Sequence, residues 1–213
     1  MNLYLNTVSD LLWSSLKQLM QIEEFNKFRL VGGTALSLQL GHRQSFDIDL
    51  FTDAEYGSID FSALEAKLIE IFRFVDTSAV DFVGIGKSYF IGNNENELVK
   101  LDLFHTEPFI FPYNFKKNVR LSSIEEIAAM KFEVIGNGGR KKDFWDIHEL
   151  LESYTLDEMI EFYLKRNPYG YTKDELLVKV VDFSNAENDF EPNCYKEKIW
   201  ELIKLDIENL VKK

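Results

Sequence analysis

At 213 residues with 46% hydrophobic content, the chain is long enough to bury a sizeable core, as one domain or one domain with a helical extension. Its formal net charge of −12 excludes a broad, non-specific nucleic-acid coat, which would need Lys and Arg to neutralise phosphates, but leaves room for a small basic groove. The single cysteine, Cys194, rules out an internal disulfide, no apolar run approaches a membrane span, and MNLYLNTVSD lacks the basic start and apolar core of a signal peptide, so a cytoplasmic location is expected.

Helical spacing of Leu11, Leu12, Leu16, Leu19, Met20 and Ile22 predicts a helix over Ser9 to Glu23. Phe28 to Val31 reads as a short strand stopped by Gly32 and Gly33. Thr34 to Leu40 reads as a short helix, Phe46 to Phe51 as a strand, and Phe61 to Phe72 as a helix. The period then changes. Ala79 to Val83, Ser88 to Ile91 and Leu98 to Phe104 read as strands, separated by Gly84-Ile85-Gly86 and Gly92-Asn93-Asn94, both hairpin signals. Gly84-Ile85-Gly86 has no third glycine and no following helix, so it reads as a turn and not as a nucleotide loop.

From Ser122 the pattern is helical. Ser122 with Glu125, or Ser123 with Glu126, makes a capping box for a helix ending near Gly136. Asp143 to Leu151 follows, with Asp143 as a possible cap. Thr155 with Glu158 starts a third helix, stopped by Asn167-Pro168. Thr172 to Phe183 and Tyr195 to Val211 complete the set. The fold class expected is α+β (α/β-type): a mixed β-sheet core flanked by helices over residues 1–120, then a C-terminal helical region over 121–213.

Leu30 to Phe51 concentrates the chemistry. Residues two apart on a strand share a face, so Asp47 and Asp49 project together. Asp102, flanked by Leu101 and Leu103, is a carboxylate on another strand, costly unless paired or metal-bound. Three such hard oxygen donors suit Mg²⁺, as two ions with Mn²⁺ as a substitute, completed by substrate phosphates. Taken alone, Asp47 and Asp49 are better read as part of a solvated strand edge than as ligands, and Asp102 alone is a weaker candidate still. Gly32 and Gly33 lie between strand and helix, where free N–H groups and the helix dipole favour phosphate, and Thr34 is either a helix cap or a phosphate contact.

Taken together, Gly32-Gly33-Thr34-Ala35-Leu36, Arg43-x-Ser45-x-Asp47-x-Asp49-Leu50-Phe51, Asp102, Lys131 and Arg140-Lys141-Lys142-Asp143-x-x-Asp146-Ile147 resemble the AbiEii/AbiGii toxin family of bacterial abortive-infection systems, within the polymerase-β-type nucleotidyltransferase superfamily. The resemblance covers roughly residues 25 to 152. It implies a nucleotidyltransferase fold, with Asp47, Asp49 and Asp102 as metal carboxylates and Gly32 and Gly33 at the triphosphate. It also implies Lys131 and Lys142 steadying phosphate charge, and Asp143 or Asp146 completing the site. Arg43 and Ser45 sit just upstream of the metal carboxylates, and Ser45 is a candidate for modification. Gly33 departs from the Gly-Ser of many superfamily members. Plain alternatives stand beside these roles: a solvated Lys131, a Lys142–Asp146 ion pair four residues apart, and a dipole-driven basic cluster at Arg140 to Lys142. Among the histidines, His42 adjoins Arg43, and none has zinc spacing.

The activity implied is Mg²⁺-dependent NMP transfer from an NTP to an acceptor hydroxyl. RNA, tRNA in particular, is the expected acceptor, with a protein side chain as the other. The setting is a toxin–antitoxin or phage-defence pair with a separately encoded antitoxin and no membrane partner. Two alternatives are a small-molecule (aminoglycoside-type) nucleotidyltransferase and a non-catalytic nucleotide- or partner-binding module.

Overall fold

The computed structural model describes residues 2–77, 81–82 and 85–212. Among them, eight strands form one mixed sheet. The strands are β1 (Arg29–Leu30), β2 (Asp47–Thr52), β3 (Phe74–Asp76), β4 (Asp81–Phe82), β5 (Gly86–Asn94), β6 (Glu97–His105), β7 (Asn114–Lys116) and β8 (Val119–Leu121). Their order is β3-β5-β6-β2-β1-β8-β7, with β4 also pairing β5. β2 runs parallel to β6 and β1 parallel to β8, while the other pairs are antiparallel. The helices are α1 (Asp10–Leu19), α2 (Gly32–Leu40), α3 (Phe61–Ile71), α4 (Ile124–Gly136), α5 (Lys141–Leu150), α6 (Leu156–Arg166), α7 (Lys173–Lys179) and α8 (Trp200–Val211).

Local chemistry starts most of these helices. Ser9, Asp60, Ser123, Thr155 and Thr172 each accept a first-turn backbone N–H through their side chains. Thr155–Glu158 and Thr172–Glu175 are reciprocal capping boxes. The box expected at Ser123–Glu126 is half formed. Ser123 caps the Glu126 N–H at 3.3 Å, but the Glu126 carboxylate accepts the N–H groups of Ile110 and Phe111 and faces Arg166. Buried among apolar side chains, it takes the partners that neutralise it.

Several boundaries differ from the sequence reading. β5 runs through Gly92 to Asn94, so the β5–β6 turn is Glu95-Asn96, with a register shift at Asn93. Gly92 serves the strand crossing and not the turn: a Cβ there would collide with the Glu97 carbonyl. α5 is preceded by Arg140, and Asp143 sits in its first turn, accepting the Arg140 N–H at 3.0 Å. α7 stops at Lys179, short of Phe183. α8 begins at Trp200, not Tyr195. Residues 193–195 are extended beside the loop after α2, where Gln44 N–H donates to Asn193 O at 2.9 Å and Tyr195 N–H to His42 O at 2.8 Å. The hairpin β7–β8 carried no glycine signal, because Lys117 and Asn118 supply its turn with φ of +49° and +65°. Of the strand expected over Ala79 to Val83, residues 79, 80 and 83 lie outside the described residues, as does Gly84 of the adjoining turn.

One continuous core spans both halves of the chain. β2 alternates along its length: Ile48, Leu50 and Thr52 are buried, while Asp47, Asp49 and Phe51 face the partly open side. On α5, Phe144 and Trp145 are buried, and Trp145 stacks on Trp200 with centroids 5.8 Å apart. No helix among the described residues is long and apolar enough to cross a membrane.

Candidate active site

Parallel pairing of β2 with β6 sets Asp49 level with Asp102 and Asp47 level with Lys100. Three carboxylates therefore gather on neighbouring strands. The cost is visible at Asp49: burial, then the charges of Asp102 and Asp47, push its carboxyl up to about 6. A cation would relieve this conflict.

The orientation of Asp102 answers part of it. Its Oδ2 lies 2.6 Å from Lys100 Nζ, and its Oδ1 accepts the Ser88 hydroxyl at 2.5 Å. Among the described residues, no three acidic, histidine or cysteine side chains are gathered tightly enough to hold an ion. The donor set suits Mg²⁺ in type and in strand register. Asp47 and Asp49 would hold it, and Asp102 would join by turning from Lys100, whose side chain is 39% exposed and free to swing away. Lys100 and Ser88 were not singled out from the sequence. Lys100-x-Asp102 on a strand is a readable signal, since residues two apart share a face. Ser88 was hidden by the misplaced β5–β6 turn.

Above Asp49 lies the start of α2. Val31 precedes the helix without a side-chain cap, so its first-turn N–H groups are left for another acceptor. Gly32 has φ of +66°, and a Cβ there would stand 2.5 Å from Asp49 Oδ2. A Cβ on Gly33 would collide with the Arg43 guanidinium, which accounts for Gly-Gly in place of Gly-Ser. Thr34 is buried, its hydroxyl against Asp47 O and 2.8 Å from Ser45 Oγ. Ser45 is itself only 7% exposed. Both hydroxyls thus brace the approach to β2.

A second charged set lies behind this loop. Asp146, fully buried, is gripped by Arg43 through Nε at 2.6 Å and Nη2 at 2.8 Å, with His42 Nε2 2.8 Å from the same carboxylate. Lys131 Nζ reaches Asp146 Oδ2 and Asp143 Oδ1, each at 2.6 Å. Burial alone would raise Asp146, but the Arg43 and Lys131 charges outweigh it and hold the carboxyl well below its usual range. Burial opposes the charge on Lys131 in the same way, and Asp146 and Asp143 reverse the effect. Lys131 therefore binds carboxylates and not solvent.

Lys142 is different. It is half-buried and has no ion pair or hydrogen bond among the described residues, so the i,i+4 pair with Asp146 is not made. Burial, then Arg140, Lys131 and Arg43, lower its pKa. Its charge is felt at Asp49. An unpaired ammonium beside the carboxylates and an uncapped helix start is a setting for a polyphosphate.

Residues 14–210 match the sequence profile of the family described as nucleotidyl transferase AbiEii toxin, type IV toxin–antitoxin system. An uncharacterised protein of Aquifex aeolicus is 29% identical over 208 residues, covering 91% of this chain and 93% of its own. Two solved structures share the fold. MenT4, a nucleotidyltransferase toxin of Mycobacterium tuberculosis H37Rv, has 15% identity and a TM-score of 0.62, covering 93% of this chain and 80% of its own. JHP933 of Helicobacter pylori has 19% identity and a TM-score of 0.54, covering 96% and 92%.

Proposed function

The chain belongs to the AbiEii nucleotidyl transferase toxin family, and from that premise we propose that it transfers NMP from an NTP to an acceptor hydroxyl on RNA, with tRNA foremost and Mg²⁺ required. The observation that carries this reading is the level pairing of Asp49 with Asp102 beside the uncapped start of α2.

Asp47, Asp49 and Asp102 would hold the metal, which when bound supplies charge neutralisation at the triphosphate. Backbone N–H groups at Gly32 and Gly33, with the Lys142 ammonium, take up the charge of the phosphates. The acceptor oxygen attacks the α-phosphorus and the bond to the β-phosphate oxygen breaks. Pyrophosphate leaves, and Asp102 accepts the hydroxyl proton. Asp146 touches none of these groups. It is a positioning residue that holds Arg43 against Gly33 and so sets the loop that meets the phosphates. Arg43 and Lys131 act through that loop and through charge.

We infer a separately encoded antitoxin, in keeping with the type IV toxin–antitoxin description of the family, and a role in phage defence. The test is incubation with each α-labelled NTP, Mg²⁺ and total RNA, followed by sizing of the product. Label should appear in RNA and fall at least about 100-fold in Asp49→Ala, the scale expected for losing a charge-stabilising group. Undiminished labelling by Asp49→Ala would sink the reading. Label on protein, or on an added aminoglycoside but not on RNA, would redirect the acceptor.

A further inference from the structure

A cleft of about 880 Å³ opens at the C-terminal ends of β2 and β6, with Phe51, Tyr56, His105, Met130, Glu133 and Arg140 in its walls. Phe51 lies two residues beyond Asp49 and on the same side of β2. At ~3.3 Å of rise per residue, the cleft mouth stands about 7 Å from Asp49 along the strand, which is the reach of a ribose and base from an α-phosphate. The volume falls in the usual range for small-ligand sites, roughly 300–1,000 Å³. Arg140, two residues before Lys142, joins the cleft to the phosphate-facing charges.

Its walls suit a nucleoside and not a phosphate chain. The Tyr56 ring is exposed beside His105, with centroids 5.7 Å apart, and His105 Nε2 is buried without a hydrogen bond among the described residues. Asp53 also lines the cleft, but its carboxylate is occupied by the Phe109 N–H at 3.1 Å. Glu133 is half-buried on α4, and its carboxylate has no ion pair or hydrogen bond among the described residues. A free carboxylate in an aromatic-walled cleft repels anions and accepts from donors.

We propose that this cleft binds the nucleoside of the incoming NTP and that Glu133 selects its base, favouring a base with an exocyclic amino group over uracil. The inference rests on the nucleotidyl-transfer reading. Cytosine, adenine and guanine each offer an amino donor to a carboxylate, whereas uracil flanks its N–H with two carbonyl oxygens that Glu133 repels.

The experiment measures binding of CTP, ATP, GTP and UTP to the full chain with Mg²⁺ by calorimetry, with NMP transfer to total RNA followed in parallel. CTP, ATP and GTP should bind about fivefold or more tighter than UTP, the lower end of discrimination by one directed hydrogen-bonding group. Glu133→Gln should shrink that ratio to about twofold or less, Glu133→Asp should keep the order, and Phe51→Ala should weaken all four alike. UTP binding equal to the rest, or an unchanged ratio in Glu133→Gln, overturns the inference. Transfer that proceeds without base preference overturns it while leaving the transfer reading intact. Selective binding with no transfer to any acceptor supports it and counts against the transfer reading. Failure of every NTP to bind removes both.

Discussion

Asp49 carries an unresolved charge conflict, and its sign is testable. Its folded pKa of about 6 lies above the ordinary carboxylate value of 3.8. Between about pH 4 and pH 6 the folded chain keeps a proton that the unfolded chain releases. The metal-free protein therefore loses stability as pH rises through that window, and the deficit is complete above it. Asp49→Asn should raise metal-free stability by up to about 3 kcal/mol at about pH 7.5 and by little at about pH 4, while abolishing transfer. Urea unfolding of both proteins at both pH values checks this; a variant less stable than the parent at about pH 7.5 contradicts it. Asp146 acts with the opposite sign. Held well below its usual range by Arg43 and Lys131, it contributes stability above the ordinary carboxylate pKa that is lost as pH falls through its lowered value. At this scale Asp47 and Asp49 were legible because strand alternation gives their shared face. The partners of Asp146 were not, since His42, Arg43 and Lys131 reach it from two other segments, 104, 103 and 15 positions away, and only packing joins them.

Helices were legible as elements and less so at their ends. Capping residues marked α6 and α7 cleanly, whereas α8 starts five residues later than its apolar pattern suggests, because residues 193–195 pair with the loop carrying His42 to Gln44. Trp200 fixes that arrangement. It stacks on Trp145 and meets Phe144 and Phe183 edge-on, at 5.9 and 5.5 Å. Trp200→Ala should cost about 3–5 kcal/mol, as truncation of a buried aromatic does. It should also loosen the Arg43 loop, so that transfer falls at temperatures where the protein is still folded. Thermal unfolding together with initial rates tests the pair of effects; full activity at unchanged melting temperature would show that α8 does not support the site.

Across the whole molecule, the α/β half and the helical half share one hydrophobic core and one buried ion network. Residues 1–120 alone would leave Arg43 buried without Asp146, a loss that runs to about 3–5 kcal/mol for a broken buried pair. We therefore expect the fragment to stay unfolded and the full chain to melt in a single transition, with circular dichroism and tryptophan fluorescence coincident. Two separated transitions, or a folded fragment, would show instead that the two regions fold as separate units. The sequence pattern suggested the division because secondary structure changes character near residue 121, and pattern alone does not reveal which faces pack together.

The pairing of Gln44 with Asn193 joins residues 149 positions apart. At about 5–20 residues per second, a ribosome needs roughly 7–30 s to supply the second strand of that clasp after the first has emerged. Throughout that interval the loop carrying His42 to Gln44 lacks this pairing, so the seat of Arg43 beside Gly33 is completed only late in synthesis. The clasp ties completion of that loop to the arrival of nearly the whole chain, since its second strand lies at residue 193 of 213.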